Sequence, residues 1–273
     1  MRHIFQNSDL NQRFVTDGYA VLPFLASAEI ADLRQIFVDM HPGELPPFYV
    51  TASPDITDRQ HRQAVYDAVQ PFFEPKLAAL FNAYKLGGAF FFVKQPAQPM
   101  SEVPMHVDPS FVDERQFNAV VFWCPLVDVN VSNGCLAVVP GSYRHVGPLR
   151  PYGGAHPFQN VQPLLQTNYT RQVEMKAGDI IFYESKMFHG SGPNMGSERR
   201  VSIGGGLAPQ DAQFQYSLMV SPTQAEVYEV DKEFYWSYQP GARPAGVKAL
   251  GTVVHHVDQL SEADVLQSAH IHS

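Results

Sequence analysis

Lys176-Ala-Gly-Asp-Ile-Ile-Phe-Tyr183, followed by His189-Gly-Ser-Gly192, is the stretch on which the architecture turns. Its Gly-Asp turn feeds an apolar run, Ile180 to Tyr183, that is too short for a helix and rich in β-branched and aromatic residues. Such a run reads as a strand. It places His189 just past a strand end, where the mouth of a barrel would lie.

The same texture extends outward in both directions. From Gly87-Gly88 onward, Ala89–Lys94, Ala119–Cys124, Cys135–Val139, Val173–Met175, Asp179–Tyr183 and Val201–Ile203 are short strand candidates bounded by Gly, Pro, Asn or Asp. Many short strands of this kind predict an all-β core, a double-sheet jelly roll of the cupin-like, double-stranded β-helix type. Asn133-Gly134 and Gly141 read as turn residues, and Gly204-Gly205-Gly206 as a bulge or close backbone approach.

Helices precede the roll and would brace it. Ile30, Leu33, Phe37 and Met40 recur at helical spacing from Ser27 to Met40, with Ser27 placed as N-cap. Asp58 to Phe73 and Pro75 to Tyr84 predict two more helices, separated by Pro71 and Pro75, after an irregular Pro-rich loop from His41 to Asp55. The chain is expected to form one domain over residues 1–273, with helical support in 1–85, the core in 86–210 and a covering extension in 211–273. That extension holds Phe214, Tyr216, Phe234, Tyr235, Trp236 and Tyr238, and a capping-box pattern at Ser261-Glu-Ala-Asp264.

Composition narrows the class. Hydrophobic residues make up 45% of the 273, enough for a sizeable core, and the formal charge of −8 argues against the basic stripe of a nucleic-acid binder. No signal peptide and no apolar run of membrane-spanning length is evident, so a cytoplasmic protein is expected. Cys124 and Cys135 sit in apolar contexts and read as reduced, buried thiols.

The chemistry enters with His106-Val-Asp108. On a strand, residues two apart share a face, so both side chains can point to one centre while Val107 packs away. A lone His-x-Asp is weak, but His189 completes two histidines and one carboxylate, the set that holds a non-haem Fe(II) and leaves open positions for a co-substrate and O2. Arg199-Arg200 follows. If the pair lies on a strand, only one can face inward, and Arg200 shares its face with Ser202: a guanidinium fork and a hydroxyl aimed at the same carboxylate.

The stretch from Phe90 to Ala208 resembles the phytanoyl-CoA dioxygenase family of Fe(II)/2-oxoglutarate oxygenases. The matching pieces are Phe-Phe-Val-Lys-Gln-Pro (91–96), His106-Val-Asp108, Val-Phe-Trp-Cys-Pro-Leu (121–126), Asn133-Gly-Cys-Leu, Val-Pro-Gly-Ser-Tyr (139–143), Gly178-Asp179, His189-Gly-Ser-Gly-Pro-Asn194 and Arg-Arg-Val-Ser, with Phe14-Val-Thr-Asp-Gly18-Tyr upstream. The resemblance implies iron held by His106, Asp108 and His189, and 2-oxoglutarate held through its distal carboxylate by Arg200. It further implies that Lys94 approaches the co-substrate and that Trp123 lines its pocket; Ser191 and Ser202 are further carry-overs. Where the family often has Gln between the first two ligands, this chain has Val107. The carboxylate of Asp108 leaves no vacancy for a halide, so hydroxylation or another oxidation is implied rather than halogenation, with release of succinate and CO2.

Substrate contacts are positional candidates only: Met105, Ser110 and Phe111 beside the first ligands, Phe188 before the last, and Tyr49 in the early loop. The loop from Arg144 to Gln166 is long enough for a lid. An amino-acid-like compound or a secondary metabolite is the favoured substrate, and the oligomeric state is left open. Two other readings stand beside this one. One is a cupin-like metal dioxygenase that does not use 2-oxoglutarate, which would not need Arg200 or Lys94. The other is a non-enzymatic jelly-roll binding module.

Overall fold

The structure, a computed structural model, describes residues 3–51, 58–237, 241–268 and 270–271. Asp55, Tyr238 and His272 lie outside the described residues, as does the Trp236 side chain. Helix α1 (Ser8–Asp17) is capped by Asn7, whose side chain accepts from the Leu10 amide, and stops at Gly18 in the left-handed region. Strand β1 (Tyr19–Pro23) leads to α2 (Ser27–Met40). The cap of α2 is Ala26 rather than Ser27, because Glu29 reaches back to accept from the Ala26 amide and closes the first turn.

The loop expected from His41 to Asp55 contains a short edge strand, β2 (Phe48–Val50). Beyond it α3 (Arg59–Leu80) is one helix where two were expected, with Pro71 and Pro75 inside it. Each proline deletes a backbone donor. Val65, Val69, Phe73 and Leu77 recur every fourth residue on a buried stripe, and that burial outweighs the lost bonds. The helix ends before the expected Tyr84, which instead opens β3 (Tyr84–Leu86).

The core strands are β4 (Phe90–Lys94), β5 (Val103–His106), β6 (Val120–Pro125), β7 (Leu136–Val138), β8 (Arg171–Val173), β9 (Asp179–Glu184), β10 (His189–Ser191) and β11 (Arg200–Pro209). A seven-stranded sheet runs β1-β9-β6-β11-β4-β2 with β3 on β11, and a four-stranded sheet runs β5-β10-β7-β8. These are the two faces of a double-stranded β-helix, antiparallel throughout. The strand expected at 173–175 sits two residues earlier as β8, and Met175 keeps an isolated bridge to Val129. The triple glycine continues β11 rather than breaking it. A Cβ at Gly205 would stand 1.8 Å from the Gly88 carbonyl oxygen, so this is a close backbone approach.

Period-two alternation sorts the large sheet. Phe91 and Val93, Phe122 and Cys124, Ile180 and Phe182, and Val201 and Ile203 join the helices in one apolar cluster. Rings interlock across that layer: Phe73 lies 5.3 Å from Phe122 and Phe37 5.2 Å from Phe91, centroid to centroid. The opposite parity, carrying Lys94, Trp123, Tyr183 and Arg200, faces the interior between the sheets.

After the roll, α4 (Gln162–Asn168) having interrupted the long loop, the chain forms a third sheet from β12 (Phe214–Ser221), β13 (Gln224–Val230) and β14 (Ala249–Val254). The short helix α5 (Phe234–Ser237) and α6 (Glu262–Gln267) complete it, the latter capped reciprocally by Ser261 and Asp264 as the sequence predicts. Phe111, Tyr152, Phe214, Tyr216 and Tyr235 belong to one cluster there, which ties the extension to the mouth of the roll. Cys124 and Cys135 are free and buried. Among the described residues no helix is long and apolar enough to cross a membrane.

Candidate metal and co-substrate site

His106 ends β5 and His189 begins β10, and the antiparallel register sets the two directly opposite. His189 lies beyond the end of β9, as expected, and itself opens β10; Asp108 differs from the expectation, standing two residues past the end of β5, in the loop. The convergence therefore comes from a cross-strand pair plus a turn, not from one strand face. His106, Asp108 and His189 offer ligand atoms within 4.8 Å of one another, with His106 Nε2 3.5 Å and His189 Nε2 3.8 Å from the Asp108 carboxylate.

The hydrogen bonds behind the rings fix what these atoms can do. Nδ1 of His106 meets the Pro104 carbonyl at 2.8 Å and Nδ1 of His189 the Met187 carbonyl at 2.9 Å. A carbonyl only accepts, so each Nδ1 carries a proton and each Nε2 is the atom left to face Asp108. Burial, together with the neighbouring His106, holds His189 down at about 4, so its ring is neutral at pH 7. Burial works to raise the Asp108 carboxyl, but His189, His106 and Arg150 outweigh it and hold it at about 2. Burial works to lower His106, but the Asp108 carboxylate outweighs it and raises that imidazole. With a metal ion in place of the His106 Nε2 proton, two imidazoles and one carboxylate are a donor set that fits a divalent iron.

Beside this trio lie two buried cations. Arg200 pairs in register with Lys94 across β11 and β4. Lys94 donates to the Ser191 hydroxyl at 2.7 Å and to the Ser191 and Gly192 carbonyls. Arg200 donates to the Gly134 carbonyl at 2.8 Å and lies 5.0 Å over the Trp123 ring, while its Nε is buried with no partner. Burial lowers both groups, Lys94 to about 7 with help from Arg200, and Arg200 to about 9. The one orphaned donor, Arg200 Nε, fits a carboxylate of a bound dianion, which is what 2-oxoglutarate would present. Arg199 faces outward, donating to Gln95 rather than pairing with Glu198.

The remaining sequence candidates divide. Ser110 and Phe111 line a cavity of about 410 Å³ that also holds the trio, Ser191, Trp123 and Arg200. Ser202 shares the inward parity of Arg200, but its hydroxyl donates to the Phe92 carbonyl at 3.0 Å and it does not reach the cavity. Met105 and Phe188 pack into an apolar cluster behind the small sheet. Tyr49 points away against His41, because alternation along β2 turns Phe48 and Val50 to the cavity instead.

Two features were not foreseen. Tyr183 is buried on the inward face of β9, its hydroxyl 3.4 Å from His189 Nε2; the i+2 parity from Ile181 was the signal available. The second is a buried clamp on the loop of Asp108. Arg150 forms a bidentate pair with Glu114 and donates to the Asp108 carbonyl at 2.7 Å, while its amide donates to the Ser110 hydroxyl and its carbonyl accepts from the Ser110 amide. Ser185 joins the same carboxylate. Nothing in the sequence links Glu114 to Arg150, since their encounter depends on how two loops fold back.

Fold and site together define a double-stranded β-helix whose interior brings a two-histidine, one-carboxylate ligand set beside a buried guanidinium. The sequence profile of the phytanoyl-CoA dioxygenase family matches residues 14–202, and the chain belongs to that family. It is 32% identical over 111 residues to peroxisomal phytanoyl-CoA dioxygenase of Bos taurus, a match covering 38% of this chain and 32% of that protein's length. With the Homo sapiens counterpart it shares 26% identity over 239 residues, covering 75% of this chain and 70% of the relative. Among solved structures it is similar to SnoK, a non-haem alpha-ketoglutarate-dependent carbocyclase from nogalamycin biosynthesis, with a TM-score of 0.59, 17% identity, and coverage of 88% and 94% of the two chains. EvdO2 from Micromonospora carbonacea, complexed with 2-oxoglutarate, matches at a TM-score of 0.51 and 19% identity, over 74% of this chain and 91% of that one.

Proposed function

We propose that this chain binds Fe(II) through His106, Asp108 and His189, binds 2-oxoglutarate through Arg200 and Lys94, and oxidises an unactivated C–H bond of a small molecule, releasing succinate and CO2. The observation that carries the reading is the partnerless Nε of buried Arg200, in the same cavity as three converging ligand atoms. A cupin-like dioxygenase without 2-oxoglutarate would have no use for two adjacent buried cations.

When bound, the metal with its co-substrate supplies the oxidising chemistry. The chain's own residues do the rest. Pro104 and Met187 carbonyls orient the two imidazoles, and the Arg150–Glu114 clamp holds the backbone of Asp108. Lys94 and Arg200 neutralise a dianion, while Trp123 gives its planar chain an apolar wall. No general base is required, and none is assigned. The helical brace, the roll and the extension act here as one unit, since the cavity draws residues from the roll and the extension alike.

The substrate is proposed to be a small molecule of secondary-metabolite type. A CoA-sized polyanion is disfavoured by the acidic balance of the chain and because three basic residues that could meet it, Arg144, Arg150 and Arg171, have partners within the chain. Arg150 pairs with Glu114, Arg144 donates to the Val15 carbonyl and Arg171 to the Tyr19 hydroxyl. The direct test is succinate formation from 2-oxoglutarate under O2 with Fe(II). Formation by the wild type and its loss in Asp108→Ala support the reading; equal, background levels in both would overturn it.

A further inference from the structure

The inner end of the cavity is accounted for by the ligand trio, Arg200 and Trp123; the outer end is not. Phe111, Tyr152, Phe214, Tyr216 and Tyr235, one cluster, close it, drawn from the loop after β5, the loop between β7 and α4, and the C-terminal extension. Apart from His106, Asp108, His189 and Arg200, no charged side chain lines the cavity among the described residues. Lys85 approaches the Phe214 ring at 4.9 Å, but its ammonium is spent on the Ala212 carbonyl.

The hydroxyls of this wall are nearly all committed too. Tyr216 donates to the Ala242 carbonyl and accepts from the Gly241 amide, and Tyr235 donates to the Gln215 carbonyl. Ser110, two residues from Asp108, accepts from the Arg150 amide and keeps its proton to donate at the metal end. Tyr152 is different. Its backbone is fixed on both sides, donating to the Ser217 carbonyl at 2.8 Å and accepting from the Met219 amide at 3.1 Å. Its ring lines the cavity, and its hydroxyl has no hydrogen-bond partner among the described residues.

We infer that the outer half of the cavity takes an uncharged, ring-bearing apolar substrate, held by stacking on the aromatic wall and oriented by a single hydroxyl or carbonyl that meets Tyr152. The inference rests on the oxygenase reading of the metal end. An ammonium or carboxylate placed there would lose its water and find only ring faces and spent hydroxyls, which disfavours a zwitterionic amino acid. Flat apolar rings gain both burial and offset stacking. An acyl group on a carrier thioester would offer part of the same apolar chemistry, so the test separates the two sources.

Naphthalene, 2-naphthol, phenylalanine and octanoyl-CoA are the probes. Each is titrated into the metal-free protein, followed by melting temperature, and into the anaerobic complex with Fe(II) and 2-oxoglutarate, followed by its visible charge-transfer band. Naphthalene and 2-naphthol are expected to raise the melting temperature and shift the band, with dissociation constants at least about tenfold below those of phenylalanine and octanoyl-CoA. Tyr152→Phe should weaken 2-naphthol by roughly three- to tenfold and leave naphthalene unchanged, because one neutral hydrogen bond is removed. Equal or tighter binding of phenylalanine or octanoyl-CoA overturns the inference, as does the absence of any melting shift with the neutral probes. Failure of the band to form at all contradicts the oxygenase reading instead, and the melting shifts still decide the ligand class.

Discussion

The two ends of one cavity are built on opposite principles. At the inner end, short strands in strict register bring two histidines face to face, and every ligand is steadied by a second group: a carbonyl behind each imidazole and a buried ion pair behind the carboxylate. At the outer end the wall is aromatic, assembled from distant segments and nearly free of unsatisfied polar groups. The difference teaches where constraint resides. A metal and a dicarboxylate demand fixed donors at fixed spacing, whereas an apolar substrate demands only shape and dryness.

The comparison breaks first if the inner end proves dispensable. Asp108→Ala or His189→Ala should abolish Fe(II) binding and lower succinate formation by more than about a hundredfold, since even the groups behind metal ligands matter ten- to a hundredfold. Equilibrium dialysis with Fe(II) checks the first point independently of turnover.

The clamp behind Asp108 comes next. Glu114→Gln leaves Arg150 buried opposite a neutral amide, and should destabilise the fold by about 3–5 kcal/mol while weakening Fe(II) binding. The paired change Arg150→Met with Glu114→Leu removes both charges and should recover much of that stability but not the metal affinity, because the bond to the Asp108 carbonyl is gone. Denaturant melts and Fe(II) titrations of both variants separate the two effects.

Arg200→Ala should raise the 2-oxoglutarate requirement by about 2–4 kcal/mol in binding free energy, that of a buried charge contact, and Arg199→Ala should leave it unchanged. Equal effects would sink the assignment of inward and outward faces on β11. At the outer end, Tyr152→Asp should leave Fe(II) and 2-oxoglutarate binding intact while excluding neutral aromatic ligands, which sharpens the contrast directly.

How far the sequence revealed this molecule follows the same division. The jelly roll and the inward face of Arg200 were legible because they depend on short-strand texture and the two-residue period of strands, and the trio was legible as a ligand set, though the cross-strand pairing that joins it was not. The long α3 was not, since Pro71 and Pro75 look like breaks until the stripe of Val65, Val69, Phe73 and Leu77 is seen buried. The location of Asp108 beyond β5 was hidden for a related reason: His-x-Asp reads as strand, while the chain turns out of the sheet after His106. Tyr49 was chosen over its neighbours without knowledge of the β2 register, and β2 shows that Phe48 and Val50 face the cavity. Arg150 and Glu114, like the aromatic wall, meet only through tertiary folding, and no local pattern announces them.

The smallest expected effect concerns pH. Burial and the neighbouring Glu114 push the Glu184 carboxyl up to about 7, against the partial offset of Lys186, Arg150 and Arg144. The folded state therefore holds a proton that the unfolded chain releases, so stability is greatest below the unfolded carboxylate range and falls as pH rises from about 4.5 to about 7. Glu184→Gln should flatten that slope and stabilise the protein at pH 8 by on the order of 2 kcal/mol. Melting temperature against pH for the two proteins reads it out.

The central claim is that the three ligand atoms and the partnerless Nε of Arg200 serve one metal and co-substrate site. An anaerobic titration of the metal-free protein with Fe(II) and 2-oxoglutarate, followed through the weak visible charge-transfer band of the chelate, tests it most directly. The account predicts a band that saturates in the wild type, is absent in His189→Ala, and requires much more 2-oxoglutarate in Arg200→Ala. Iron binding with no band at any 2-oxoglutarate concentration would contradict it.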